Sequence, residues 1–380
     1  MTTSDEPAGD PALDSTDDPA REPIDEHAVE AVGDSVVVDD PDDLDDPDEP
    51  DARRRSLPMS ILRWVGIVLA SVVAIVLVLA IWPTSTDGLG AEPDPTSTYD
   101  DAIARFESAT ADEPGVVFEP CESVLLDHGE TVDVAVVLFH GLTNCPKQFV
   151  EFSAELHADG ANVLILRAPR HGIANADGTG IGDLSNVDGL TSGELAGFAD
   201  DAIDIAVGLG EEVRVLGLSM GGVLSNWTAQ ERSDVDRVVA VAPAMSIPGV
   251  PRFLTTGFNN LFNKLPPVDL PGESDLDHAY VGESTKGLVA TFNLSRAFEK
   301  SADSRGPAAG EVIVVINPDD NQVDADYVRD VVESWGDPGE VTTIDLPFRG
   351  LRHDVIDPDQ PGNDVDEVYP FLIDLLDNGV

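Results

Sequence analysis

Lysine is nearly absent from this 380-residue sequence: Lys147, Lys264, Lys286 and Lys300 are the only four, and basic residues total 21 against 73 acidic ones. The formal charge of −52 repels nucleic-acid phosphates and anionic headgroups, which argues against nucleic acid as a partner. Cysteine is scarcer still, with Cys121 and Cys145 alone. Two thiols with no suitably spaced histidine do not make a zinc site.

The acidity is unevenly spread. Residues 1–51 hold 20 acids, a single base, Arg21, and no aromatic side chain. Such a segment has too little apolar surface to offset its chain entropy, so residues 1–59 are predicted to be a disordered tail. The other 73 − 20 = 53 acids still dominate the rest of the chain. That surplus reads as adaptation to high salt, where self-repulsion is screened. A GC-rich genome favouring Asp and Arg over Lys is the competing source of the same composition.

One stretch is free of charge altogether, the nineteen residues from Trp64 to Trp82. At ~1.5 Å per residue it spans roughly 28 Å, close to the hydrocarbon thickness of a bilayer, and predicts one transmembrane helix over 60–82. Arg53, Arg54, Arg55 and Arg63 precede it, whereas Asp87, Glu92 and Asp94 follow. The positive-inside rule then holds the N-terminus in the cytoplasm and sends everything later outside the cell membrane. A cleaved signal peptide would have a shorter apolar region and end at small residues, giving a mature start near Ala91. Residues 83–110, rich in Pro, Thr and Ser at their start, read as a linker.

Beyond residue 111, apolar runs alternate with helix-length segments: 134–139, 162–168, 213–218, 238–242, 312–317 and 341–346. This order predicts an α/β fold with a mostly parallel sheet covered by helices on both faces. The interval of about 245–310 breaks the rhythm, mixing Pro and Gly with Phe253, Phe258, Phe262 and Phe292. It reads as an inserted cap over a pocket. Of two sequons, at Asn226 and Asn293, only Asn293 is placed where a glycan is plausible.

Gly217-Leu-Ser219-Met-Gly221 falls where a strand meets a helix. A turn that tight presents the Ser219 hydroxyl above the helix N-terminus and admits only glycine beside it. The amide of Met220 then points to where negative charge would develop on an attacked carbonyl. Leu142, following His140-Gly141 at the end of another strand, supplies a second amide of the same kind. His140 itself shapes the turn, and His171 either lines the pocket or turns the chain. Serine also needs an imidazole to take its proton and a carboxylate to orient the ring. His353 suits the first role. Asp319, Asp320 and Asp324, all following the 312–317 strand, suit the second.

With these segments in that order, residues 113–380 resemble the α/β-hydrolase superfamily, in particular its small carboxylesterase and monoacylglycerol-lipase-like branch. The resemblance implies an α/β-hydrolase fold with an inserted cap, Ser219 as nucleophile, Asp320 as acid and His353 as base, with the amides of Leu142 and Met220 as oxyanion hole. It implies acyl chemistry on small ester or lipid substrates, with no metal or organic cofactor. Acyl transfer to another acceptor, perhydrolysis, or a non-catalytic surface-binding domain are the alternatives. The stretch around Cys145 also resembles hydrolases with a cysteine at this place, which implies a Cys121–Cys145 bridge in place of two free thiols. Oligomeric state has no signature in the sequence.

The salt reading yields a direct test. The melting temperature is expected to rise between dilute buffer and molar potassium chloride, and a value indifferent to salt would contradict it.

Overall fold

A run such as Val134–Phe139 buries apolar side chains in both directions, which only a strand covered on two faces can use. In a computed structural model, which describes residues 59–113, 115–336 and 339–380, such runs form the centre of one seven-stranded sheet whose two end strands are only half-buried. The predicted tail lies outside the described residues, apart from Met59.

The chain runs through helices α1 (Met59–Ile81) and α2 (Tyr99–Thr110) into strands β1 (Val124–Leu126) and β2 (Val132–Phe139). Helix α3 (Val150–Ala158), strand β3 (Asn162–Ile165), helix α4 (Ser192–Leu209) and strand β4 (Gly210–Leu218) follow. Next come α5 (Met220–Glu231), β5 (Arg237–Val241), α6 (Arg252–Lys264), the short strands β6 (Asp269–Leu270) and β7 (Glu283–Ser284), and α7 (Thr285–Ala302). The chain closes with β8 (Glu311–Ile316), α8 (Ala325–Glu333), β9 (Val341–Asp345) and α9 (Val365–Asn378).

The strand order is β1-β3-β2-β4-β5-β8-β9, parallel throughout except for the edge strand β1. Alternation sorts the side chains into two cores. Val137, Phe139, Val215, Val238 and Val314 pack with α4, α5, α7 and α8. Val136, Leu138, Leu216, Val239 and Val315 pack with α3 and α9 on the other face. Each fully buried Val or Leu contributes about 1.5–3 kcal/mol, and the continuous apolar runs exist because both faces are used.

Two expectations need correction. The linker assigned to 83–110 ends in helix α2, where the Thr98 hydroxyl accepts from the Asp101 amide at 3.2 Å. Ala102 of α2 is fully buried, and a Cβ at Gly208 of α4 would come within 2.9 Å of its Cβ, so the two helices meet backbone to backbone. The domain therefore begins before residue 111. Asn293 is buried and accepts from the Asn259 amide at 2.6 Å, which leaves no room for a glycan. Helix α4 stops at Gly210, which is extended at φ −144 and is glycine because a Cβ would lie 2.3 Å from the Ala135 nitrogen.

The stretch 245–310 holds α6, the β6–β7 pair and α7. It is not wholly apart from the core, because Met245 and, from α7, Leu294 and Phe298 belong to the cluster that also takes in α4 and α5. Helix α1 is long and apolar enough to cross a membrane, and none of its residues is buried by protein. Its last carbonyls are capped by α6: Asn260 Nδ2 donates to Ala80 at 2.9 Å and Lys264 Nζ to Trp82 at 2.8 Å.

Cys121 and Cys145 form a disulfide across 24 residues. Closing a loop of that length contributes roughly 3 kcal/mol in the chain-entropy account. Cys121→Ser with Cys145→Ser is accordingly expected to lower unfolding stability by that order in urea titrations, and an unchanged midpoint would show that the bridge constrains nothing.

Candidate active site

Between the last residue of β4 and the first of α5 stands Ser219 alone. Its backbone sits at φ 62 and ψ −115, in a region that side chains other than glycine rarely enter. Two close approaches hold it there. A Cβ on Gly217 would come within 2.2 Å of the Gly221 carbonyl oxygen, and one on Gly221 within 1.8 Å of the Phe139 oxygen. The Ser219 amide donates to Val241 at 3.0 Å, and its carbonyl accepts from Val223 at 3.1 Å and Ala244 at 3.0 Å. Backbone packing and hydrogen bonding together fix the bend, at a strain cost on the order of 1–3 kcal/mol.

The Asp and His candidates come from two loops at the same end of the sheet. After β8, Asp320 Oδ1 accepts the amides of Gln322 at 2.7 Å and Val323 at 3.1 Å, and its Oδ2 accepts from His353 Nδ1 at 2.6 Å. Asp319 accepts the Gly350 amide and Asp324 caps α8, so neither is bonded to the imidazole. Asp319 is a turn residue and Asp324 a helix cap. Asn317 Nδ2 donates to the Arg352 carbonyl at 2.8 Å and so ties the His353 loop back to β8.

Ser219, His353, Leu142 and Met220 line one cavity of about 610 Å³. Apolar side chains of Ile247, Phe258, Leu288 and Phe292 also line it. Glu283 lines it too. Burial raises the Glu283 carboxyl above the usual range, against a smaller opposing pull from His353.

His140 and His171 support the Leu142 turn from behind. His140 Nε2 accepts from the Ala168 amide at 3.0 Å, so Nδ1 carries the proton and donates to Gly141 at 2.8 Å. Burial pushes its pKa down to about 3. His171, likewise buried and pushed down to about 4, faces the Leu142 carbonyl at 2.9 Å and turns the chain without lining the cavity. Neutral imidazoles here are braces.

Among the described residues, His278, Asp357 and Asp359 gather ligand atoms within 4.8 Å of one another. Their charges are already matched by protein: His278 Nε2 lies 2.8 Å from Asp357, and Lys147 lies 3.5 Å from Asp359. Burial opposes charge on His278, yet the Asp357 and Asp277 carboxylates outweigh it and raise its pKa. Sequence reasoning missed this cluster, and with it Gln148 and Asp354, because the partners stand 79 to 213 positions apart.

The strand order and the bend at Ser219 define an α/β-hydrolase fold. The serine aminopeptidase S33 family of hydrolases matches residues 130–285, which takes in Ser219 and Leu142 but neither Asp320 nor His353. No curated protein sequence matches the chain. Among solved structures, one from a study of two metagenome-derived lipolytic enzymes is similar over 68% of this chain and 98% of its own, with 16% identity and a TM-score of 0.53. A soluble variant of monoglyceride lipase from Saccharomyces cerevisiae is similar over 68% and 91%, with 15% identity and a TM-score of 0.51. At such identities the likeness is one of fold.

Gly221→Ala tests the close approach that makes the bend. It is expected to lower the melting temperature and abolish labelling of the chain by a fluorophosphonate, since the Phe139 strand would have to move away. Wild-type labelling in that variant would mean the bend tolerates a side chain.

Proposed function

We propose that this chain is a membrane-anchored serine hydrolase that cleaves carboxylic esters. The observation that carries the reading is a serine held at positive φ in one cavity with an imidazole whose other nitrogen is bonded to a buried carboxylate.

In this reading His353 takes the Ser219 proton at Nε2 as the hydroxyl oxygen attacks the carbonyl carbon. Asp320 holds the ring in the tautomer with its proton on Nδ1 and stabilises the imidazolium. The amides of Leu142 and Met220 stabilise the oxyanion, helped by the dipole of α5. His353 returns the proton to the departing alcohol, and water activated by the same ring releases the acid from Ser219. No step calls on a metal or organic cofactor.

The apolar lining by Ile247, Phe258, Leu288 and Phe292 suits an acyl chain. Turnover of medium-chain esters should exceed that of short polar ones. Helix α1 is the anchor, with the N-terminus cytoplasmic and the hydrolase domain on the outer side, and residues 245–310 act as its cap. The bonds from Asn260 and Lys264 to the end of α1 hold this cap close to the membrane surface, where apolar esters concentrate.

Covalent labelling by a fluorophosphonate is expected in the unsubstituted chain and absent in Ser219→Ala. Asp320→Asn is expected to lower kcat by about 10⁴-fold through the wrong ring tautomer. Labelling that survives in Ser219→Ala would remove the nucleophile, and the reading with it.

A further inference from the structure

The proposed chemistry needs two loops at a fixed spacing, the turn carrying Gly141 and Leu142 and the loop carrying His353. Two side chains join them: Asn144 Nδ2 donates to Asp357 at 3.2 Å and more weakly to Asp354 at 3.5 Å, and Gln148 makes the shorter link. Gln148, 2% exposed, accepts the Gly141 amide on Oε1 at 2.9 Å and donates from Nε2 to Asp354 Oδ2 at 2.7 Å. Asp354 follows His353 directly in the chain, and its Oδ1 accepts the amides of Ile356 and Asp357, each at 3.1 Å. Both ends of the Gln148 amide are thus spent on backbone-linked partners, one on each loop. With its donor and acceptor facing opposite ways, the side chain fits this place in one orientation only.

We propose that Gln148 is a positioning residue that sets the distance between the oxyanion amide of Leu142 and the imidazole of His353. This rests on the ester-hydrolase reading given above. Leu142 is one residue beyond the amide that Gln148 holds, and His353 one residue before the carboxylate. A sub-ångström shift at either bond therefore displaces a reacting group, and misplacement of that size lowers rate more than binding.

The charge setting makes the inference testable by pH. Burial raises the Asp354 carboxyl, with Asp357 adding to the rise. Asp357 in turn faces His278 and Asn144. His353 adjoins on one side, and the fields of Asp354 and Asp357 also reach the Tyr369 hydroxyl. Lys147 pairs with Asp359 at 3.5 Å. A carboxyl introduced at position 148 would keep the acceptor for Gly141 but would offer Asp354 a donor only while it holds a proton. The two carboxyls would share that proton at low pH and repel each other once it is lost.

The experiment compares the full chain in detergent with Gln148→Leu and Gln148→Glu, using a medium-chain nitrophenyl ester across a pH series. Gln148→Leu is expected to lower kcat about ten- to a hundredfold with KM changed by less than about threefold, at a ratio to the unsubstituted enzyme that is flat with pH. For Gln148→Glu, the ratio is expected to be highest at low pH and to fall as pH rises through loss of the shared proton. Unsubstituted kcat in both variants would overturn the proposal, and so would a flat ratio in Gln148→Glu. A Gln148→Glu chain whose circular dichroism tracks its activity with pH would also overturn it, by placing the bond in stability. An active unsubstituted enzyme beside indifferent variants sinks this inference alone, whereas no turnover by any chain sinks the ester-hydrolase reading as well.

Discussion

The contact between the Gly221 backbone and the Phe139 carbonyl governs the geometry of the site. Because β2 and β4 are hydrogen-bonded neighbours, the start of α5 can cross the end of β2 only if nothing projects from position 221. That crossing leaves Ser219 as the whole connection between strand and helix, and its backbone has no relaxed conformation available. The packing of two cores on either face of the sheet supplies the stability that sustains this strain.

Around that bend, polarity is organised in layers of different protonation. His140 and His171 are held neutral by burial and serve as rigid supports for the Leu142 turn. His353 instead has a carboxylate on one nitrogen and the cavity beside it. His278 is drawn toward the charged form by Asp357 and Asp277. These four imidazoles differ in what surrounds each ring, and among them only His353 combines a carboxylate partner with a place on the cavity wall.

Much of the architecture was legible because its signals are local. Apolar runs gave the central strands to within a few residues, and the glycine spacing around Ser219 marked the bend. Helix α2 was lost to the Pro and Ser preceding it, although Thr98 three residues before Asp101 is a capping signal that local reading could have used. Strand β1 is only three residues long at a sheet edge, too short for periodicity to register. Among Asp319, Asp320 and Asp324 only the resemblance singled out Asp320, since all three follow β8 and differ only in where the turn aims them. Gln148 and Asp354 carry no sequence signature, because their pairing comes from how two distant loops close over the same strand ends.

The account turns on whether the ring of residue 353 reaches the oxygen bound to residue 219. An experimental structure of the phosphonate adduct measures this directly. The account predicts His353 Nε2 about 3 Å from an oxygen on the Ser219-bound phosphorus, with Asp320 still on Nδ1. A ring turned away from the adduct, or an adduct on another residue, would contradict it.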